Sequence, residues 1–270
     1  MNLMKKSILT IISILAAYSS VMAWGYHGHA AIAMIAERHL TPTAKANIEK
    51  CIDGHSIVYY ASWLDNHRKE YKEWDKLRHT CDFDIATGKL FGNPVKQMRE
   101  TIEMLGDYKN LTDSVRKVRI YHFVHSFGDF HCPGHIEFMT NGERSHTTNY
   151  QVINVDGKPL RYHTMWDATV LTNVHPDWGY MDFAHALDSS VPQEYIDRVT
   201  AGSLEDWLYD ALAHSRRIYT DAPQKPEGTP DSELSVVDRD LMNDFSELAK
   251  EQVLKAGLRM AKIINELFGE

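Results

Sequence analysis

Apolar residues recur at helical spacing through most of the chain, and only a few stretches break the rhythm. Trp24–His29 runs straight into AAIAMIAERHL, an alanine-rich amphipathic helix. Thr41-Pro42 pairs an N-cap with a first-turn proline and predicts a second helix through about Ile52. Ser56–Arg68 predicts a third, and Asn93-Pro94 opens a fourth with Val95, Met98, Ile102 and Leu105 on one face. Further helices are expected from about Thr112, over RYHTMWDATVL, over Pro192–Thr200 and over Leu204–Tyr219. A long one follows from about Ser235 to Phe268, with Leu241, Phe245, Leu248, Leu254, Leu258, Ile264 and Leu267 as its apolar stripe. The exceptions are LRHTCDFD, which reads as a loop or short turn, and residues 138–160, whose Gln151–Val155 followed by Asp156-Gly157 predict a small hairpin or extended excursion. Asp221–Ser232 is a polar loop. No repeat, heptad array or linker divides the chain, so the expected fold class is all-α, in one compact helical domain.

Length and composition narrow this picture. A chain of 270 residues can bury a substantial core. Residues 1–23 stand apart. Met1–Lys6 is basic, Ser7–Ala17 is apolar and uncharged, and Val21-Met22-Ala23 fits a small-x-small cleavage site. That is a signal peptide, with a mature domain over 24–270 that begins at Trp24 and is exported, periplasmic or secreted. The apolar run suits a membrane span poorly, so no stable membrane association is expected, and a monomer is the reading adopted. Losing Lys5 and Lys6, and no acid, moves the formal net charge from −8 to −10. Such an acidic surface argues against broad electrostatic gripping of duplex DNA, while leaving room for a nucleotide held locally by metal ions. Three cysteines, Cys51, Cys81 and Cys132, allow at most one disulfide. A bridge between Cys81 and Cys132 is one option.

The chemistry concentrates in Tyr121–His135, YHFVHSFGDFHCPGH, which carries four histidines and an aspartate. His125 and Asp129 are four apart and share a helix face with Tyr121 and Val118, so a stripe that should be buried ends in two metal-ligand types. Pro133 and Gly134 break the helix before His135. Buried without a cation, a His–Asp pair carries a heavy desolvation cost, which a divalent metal removes. The blander alternative is a hydrogen-bonded pair in a helical core. His163 and Asp167 repeat the spacing, which makes each pair more informative than either alone. The candidate set is His29, Asp65, His79, His125, Asp129, His135, His163 and Asp167. Imidazole with carboxylate and no thiolate suits catalytic zinc, and eight ligands fit two or three ions of the kind that act on phosphate esters. His39, His55, His146, His175, His185 and His214 have no partner at useful spacing and read as surface or packing residues. His122 and His131 point away from the ligand face and read as structural, and the same reading is preferred for His27 and His67. No Gly-x-Ser-x-Gly elbow or Walker-type loop is present.

These residues resemble the zinc-dependent nuclease family typified by the fungal single-strand nucleases P-one and S-one, a sister of bacterial zinc phospholipase C. The resemblance covers the mature chain. The family's N-terminal tryptophan, which binds zinc through its free amine and carbonyl oxygen, matches Trp24, and the histidine five residues on matches His29. Trp-x-Asp-x-x-Arg matches Trp63, Asp65 and Arg68, and the next ligand matches His79. His-x-x-x-Asp-x-x-x-x-x-His matches His125, Asp129 and His135, and the last His-x-x-x-Asp matches His163 and Asp167. The resemblance implies three zinc ions, held by Asp65, His79, His125 and Asp129, by Trp24, His29 and a bridging Asp129, and by His135, His163 and Asp167. It implies in-line hydrolysis of single-stranded DNA or RNA to 5′-phosphates, with 3′-nucleotidase activity, Asp65 and Asp129 in catalysis and Arg68 stabilising phosphoryl charge.

Three departures from the family pattern stand out. Thr80 stands where fungal members stack an aromatic on the base, a loss worth roughly 1–3 kcal/mol per base. Asp82 does match a family aspartate that hydrogen-bonds the base, so Thr80 and Asp82 are the substrate-binding candidates. Ser145–Val152 replaces a Gly-Gly-Asn segment, and Cys132 replaces a polar residue. Tyr150 or Tyr162 is a candidate for the missing stacking face. Two rival functions stand beside the nuclease: a zinc phospholipase C, whose last ligand is usually glutamate where this chain has Asp167, and an exported zinc-binding protein without catalysis, for which Arg68 and the Trp24 terminus would be unnecessary.

Overall fold

The computed structural model describes residues 24–67, 81–84, 87–91, 93–140, 143–146 and 151–270. The expected signal peptide, Arg68, His79, Thr80 and Tyr150 lie outside the described residues. Helix α1 spans Gly25–Arg38 and starts immediately after Trp24. Helix α2 spans Pro42–Cys51, and the Thr41 hydroxyl accepts the Ala44 amide at 3.1 Å, the cap that the sequence predicts. The expected helix over Ser56–Arg68 is divided. A 3-10 turn, Ile57–Tyr60, capped by Ser56, precedes a short α3, Trp63–His67. The chain then enters β1, Cys81–Asp84, where the sequence predicts a loop or short turn, and β2, Lys89–Phe91, for which it predicts no element.

Helix α4, Asn93–Leu105, leads to α5, Asp113–Asp129. Strands β3, Ile136–Thr140, and β4, Glu143–His146, follow, then β5, Gln151–Val155, and β6, Lys158–Arg161. Helix α6, Tyr162–Thr164, passes into a π-helical segment, Met165–Thr169. Helix α7, Tyr180–Asp188, was not predicted. Helices α8, Gln193–Thr200, and α9, Leu204–Asp221, match their predicted spans closely. Short β7, Lys225–Pro226, and β8, Val236–Val237, precede α10, Arg239–Phe268.

The fold is all-α with small sheets at its margin. Helices α1 and α10 cross where Gly257 faces Ile35; a Cβ on Gly257 would lie 2.6 Å from Ile35 Cβ. That contact is possible only without a side chain, and it seats Ile32 and Ile35 in a core shared with Phe245, Val253 and Ile264. Helix α5 is tied to α4 by a buried hydrogen bond between Thr101 Oγ1 and His122 Nδ1 at 2.8 Å. One sheet runs β2-β1-β3-β4, with β1 parallel to β3 and Cys81 in register with Ile136. In the other, β5 and β6 form the expected hairpin. Its two-residue turn places Asp156 and Gly157 at φ 50° and 80°, the doubly left-handed geometry that an Asp-Gly pair favours. Cys51, Cys81 and Cys132 are buried and none is in a disulfide, so the Cys81–Cys132 bridge considered from sequence is not formed.

Candidate metal centre

The site is built on the C-terminal half of α5, buried from Ile120 to Asp129. Asp129 is completely buried, and its carboxylate is the meeting point of three imidazoles. Its Oδ1 lies 3.3 Å from His29 Nε2 and 3.8 Å from His135 Nδ1, and its Oδ2 lies 3.4 Å from His125 Nε2. Asp65, from α3, approaches the same His125 nitrogen at 3.5 Å. His29 and His125 stack with ring centroids 4.3 Å apart. Four elements distant in sequence therefore deliver His29, Asp65, His125, Asp129 and His135 to one place.

A second cluster adjoins the first. His135 Nε2 lies 3.5 Å from Asp167 Oδ1, His163 Nδ1 is 2.5 Å from Asp167 Oδ2, and the His135 and His163 rings stack at 4.6 Å. The His163–Asp167 spacing was expected on an α-helix, but the backbone here is π-helical, with the Val170 amide reaching back to the Met165 carbonyl at 2.9 Å. Such bulges often mark functional sites, and this one keeps both side chains turned to His135.

Ring orientation follows from backbone contacts. His125 Nδ1 donates to the Ala61 carbonyl at 2.9 Å, which turns Nε2 towards Asp65 and Asp129. The Trp24 indole donates to the Gly128 carbonyl at 2.9 Å, pinning the start of α1 beside Asp129. Trp24 itself is buried and left-handed, with φ 52°. Glycines make room for these approaches. A Cβ on Gly128 would lie 2.9 Å from His29 Nδ1, one on Gly25 2.6 Å from the Asp167 carbonyl oxygen, and one on Gly134 2.7 Å from Trp166. Gly25 and Gly128, with Ala61, escaped the sequence reading. Only a glycine next to a ligand hints at such a role, and helical periodicity says nothing about it.

The electrostatics favour a cation. Burial pushes the His29 imidazole below its ordinary range, and neighbouring His125 pushes it further. Burial alone would do the same to His125, but the Asp65 and Asp129 carboxylates outweigh it and push that ring up to about 9. Charge from several carboxylates thus falls on one ring of a stacked pair. Neither nitrogen of His29 and neither carboxylate oxygen of Asp167 makes a hydrogen bond, although both residues are buried. Ligand atoms of His29, His125 and Asp129 lie within 4.8 Å of one another, as do those of Cys132, His135 and Asp167. Donors gathered at this spacing in a buried site fit divalent metal ions.

Among the substrate candidates, Asp82 is buried on β1 in register with Glu137, two residues beyond His135. Tyr162 is buried, so it offers no exposed stacking face. The remaining histidines behave largely as expected. His131 is buried, donates from Nδ1 to the Phe127 carbonyl at 2.9 Å and is pushed down to about 3 by burial and by Arg259. Two did have partners: His39 Nε2 meets Asp188 Oδ1 at 2.7 Å, and His214 sits one helical turn after Asp210 at 3.7 Å.

The model of the S1/P1 nuclease family matches residues 24–269. No curated protein matches the chain. Among the described residues no helix is long and apolar enough to cross a membrane.

Proposed function

The chain belongs to the S1/P1 nuclease family, a hydrolase acting on nucleic acid, and from that premise we propose that it is a trinuclear zinc phosphodiesterase. Its substrates are single-stranded DNA or RNA, its products carry 5′-phosphates, and it also removes 3′-phosphates from nucleotides. The observation that carries this reading is the Asp129 carboxylate, buried among His29, His125 and His135 with each oxygen facing an imidazole. A carboxylate so placed can bridge two cations.

In this reading Asp65, His79, His125 and Asp129 hold one ion. Trp24 and His29 hold a second with Asp129, and His135, His163 and Asp167 a third. Zinc supplies Lewis-acid stabilisation of phosphoryl charge and lowers the pKa of water. The chain's own groups do the rest. Asp65 and Asp129 offset cationic charge and orient the attacking water, and the Ala61 carbonyl holds His125 in its ligand tautomer. Arg68 stabilises charge on the phosphoryl oxygens, and Asp82 and Thr80 line the base side. Export with cleavage before Trp24 supplies the free amine, and the domain over 24–270 works as a monomer.

The test uses protein beginning at Trp24, loaded with zinc, and a short single-stranded oligonucleotide. Cleavage to 5′-phosphate ends with three zinc ions per chain by elemental analysis is expected. Zinc binding with hydrolysis of phosphatidylcholine alone would replace this reading by a phospholipase, and zinc binding with no turnover of either substrate would leave a binding protein.

A further inference from the structure

Between Asp129 and His135 the chain makes a tight turn, Cys132-Pro133-Gly134-His135, closed by the His135 amide on the Cys132 carbonyl at 2.9 Å. The turn carries Cys132 back over the second cluster. Its sulfur, a ring nitrogen of His135 and a carboxylate oxygen of Asp167 all lie within 4.8 Å of one another. Cys132 is completely buried and makes no disulfide. The Gly134 and His135 amides approach its sulfur, but burial and then the Asp167 carboxylate outweigh them and hold the thiol well above its ordinary range, so it is neutral until a cation arrives. Opposite it, Asp167 has 5% exposure and neither of its carboxylate oxygens accepts a hydrogen bond. Its oxygens face His163 and His135, and a cation placed there would meet sulfur, nitrogen and oxygen donors already gathered within 4.8 Å of one another.

We propose that Cys132 is a fourth protein ligand of the metal site formed by His135, His163 and Asp167. The proposal rests on the metal-binding reading above and adds a sulfur to a ligand set otherwise made of nitrogen and oxygen. As the ion enters, the thiol proton leaves to solvent and a sulfur–metal bond forms, with no change of oxidation state. The chemical consequence is a site closed by four protein ligands, the pattern of structural zinc, where three would leave a position open to substrate. This ion is then held more tightly, and is less available to a departing oxygen, than one with three protein ligands. A soft thiolate also shifts preference towards zinc, cadmium and cobalt over magnesium or manganese.

Cobalt reports this without reference to turnover. Mature protein loaded with Co2+ is expected to show an intense near-ultraviolet thiolate-to-cobalt charge-transfer band. The band should vanish in Cys132→Ser and persist in Cys51→Ser, whose sulfur lies on α2. Because Cys132→Ser could fold poorly, zinc-edge X-ray absorption of the wild-type holoenzyme provides a second measurement, with a sulfur scatterer at about 2.3 Å expected. A bound-metal spectrum with nitrogen and oxygen scatterers alone, or a cobalt band that survives Cys132→Ser, overturns the proposal and leaves the nuclease reading standing. Failure to bind metal at all overturns both.

Discussion

The Trp24 indole nitrogen lies 2.9 Å from the carbonyl oxygen of Gly128, the residue before Asp129. The first described residue of the chain is thereby fastened to the backbone of the helix that carries the central carboxylate. The same carbonyl also accepts the His131 amide at 3.0 Å, so removing the indole leaves it a partner. Trp24→Phe should therefore cost about 1–3 kcal/mol, from the lost hydrogen bond and the cavity left by a smaller ring, without the full penalty of an orphaned buried acceptor. Thermal unfolding would show the small loss. A drop several times larger would mean that the indole does more than this hydrogen bond.

The N-terminus makes a chemical prediction. An extra residue on Trp24 turns an amine into an amide, a far poorer zinc ligand. Protein with a retained N-terminal Met or tag should bind one zinc fewer and lose most of its activity. Equal zinc content and turnover in extended and processed protein would count against Trp24 as a ligand.

Asp129→Asn keeps the shape of the side chain and removes its charge from among three imidazoles. Loss of a partner one step removed from a metal typically costs 10–100-fold in affinity or activity, so loss of a shared ligand should exceed about a hundredfold. Elemental analysis should show fewer than two zinc ions per chain. Retention of all the zinc would show that Asp129 does not bridge.

Crowding next to that carboxylate can be tested separately. Gly128→Ala would put a methyl 2.9 Å from His29 Nδ1, in a helix pair with no slack. Overpacking of this kind costs about 1–3 kcal/mol, and the displaced imidazole should lower zinc affinity as well. Zinc titration of the variant against a competing chelator measures the shift; an unchanged affinity would mean that His29 can move without cost.

Away from the site, Asp210 binds Lys255 Nζ at 3.0 Å and Arg259 Nη2 at 3.0 Å, joining α9 to α10. Burial alone would raise its carboxyl, but the Lys255 ammonium and then the Arg259 guanidinium hold it below the usual carboxylate range. A depressed folded pKa contributes stability that is fully present above the unfolded value near 4 and is lost as pH falls through the folded one. Asp210→Ala should cost about 2 kcal/mol near neutrality, below the 3–5 kcal/mol of a fully buried pair because the carboxylate keeps some solvent. Denaturant unfolding at about pH 7 and pH 3 checks this, since the gap between variant and parent should narrow at the lower pH. A gap independent of pH would assign the cost to packing.

What could be read from the chain alone was whatever repeats within a few residues. The Thr41 cap, the Asp156-Gly157 turn, the long C-terminal helix and the His125–Asp129 face each depend on neighbours one turn or one hairpin away. The His163–Asp167 pair was legible by the same rule, even though its backbone proved to be a π-helix. Signals of that range cannot state which elements meet. The family resemblance alone grouped Asp65 and His29 with the α5 ligands; the tertiary structure is what brings Asp65 to His125 and His29 to Asp129, pairs β1 with β3 beside His135, and turns Cys132 towards Asp167. Each of those contacts spans a closed loop whose entropy is offset by burial elsewhere, so no local pattern records it. The glycines at 25, 128 and 257 make the same point: their value lies in an atom of a distant element, the Asp167 carbonyl, the His29 ring or the Ile35 side chain, that arrives where a Cβ would be.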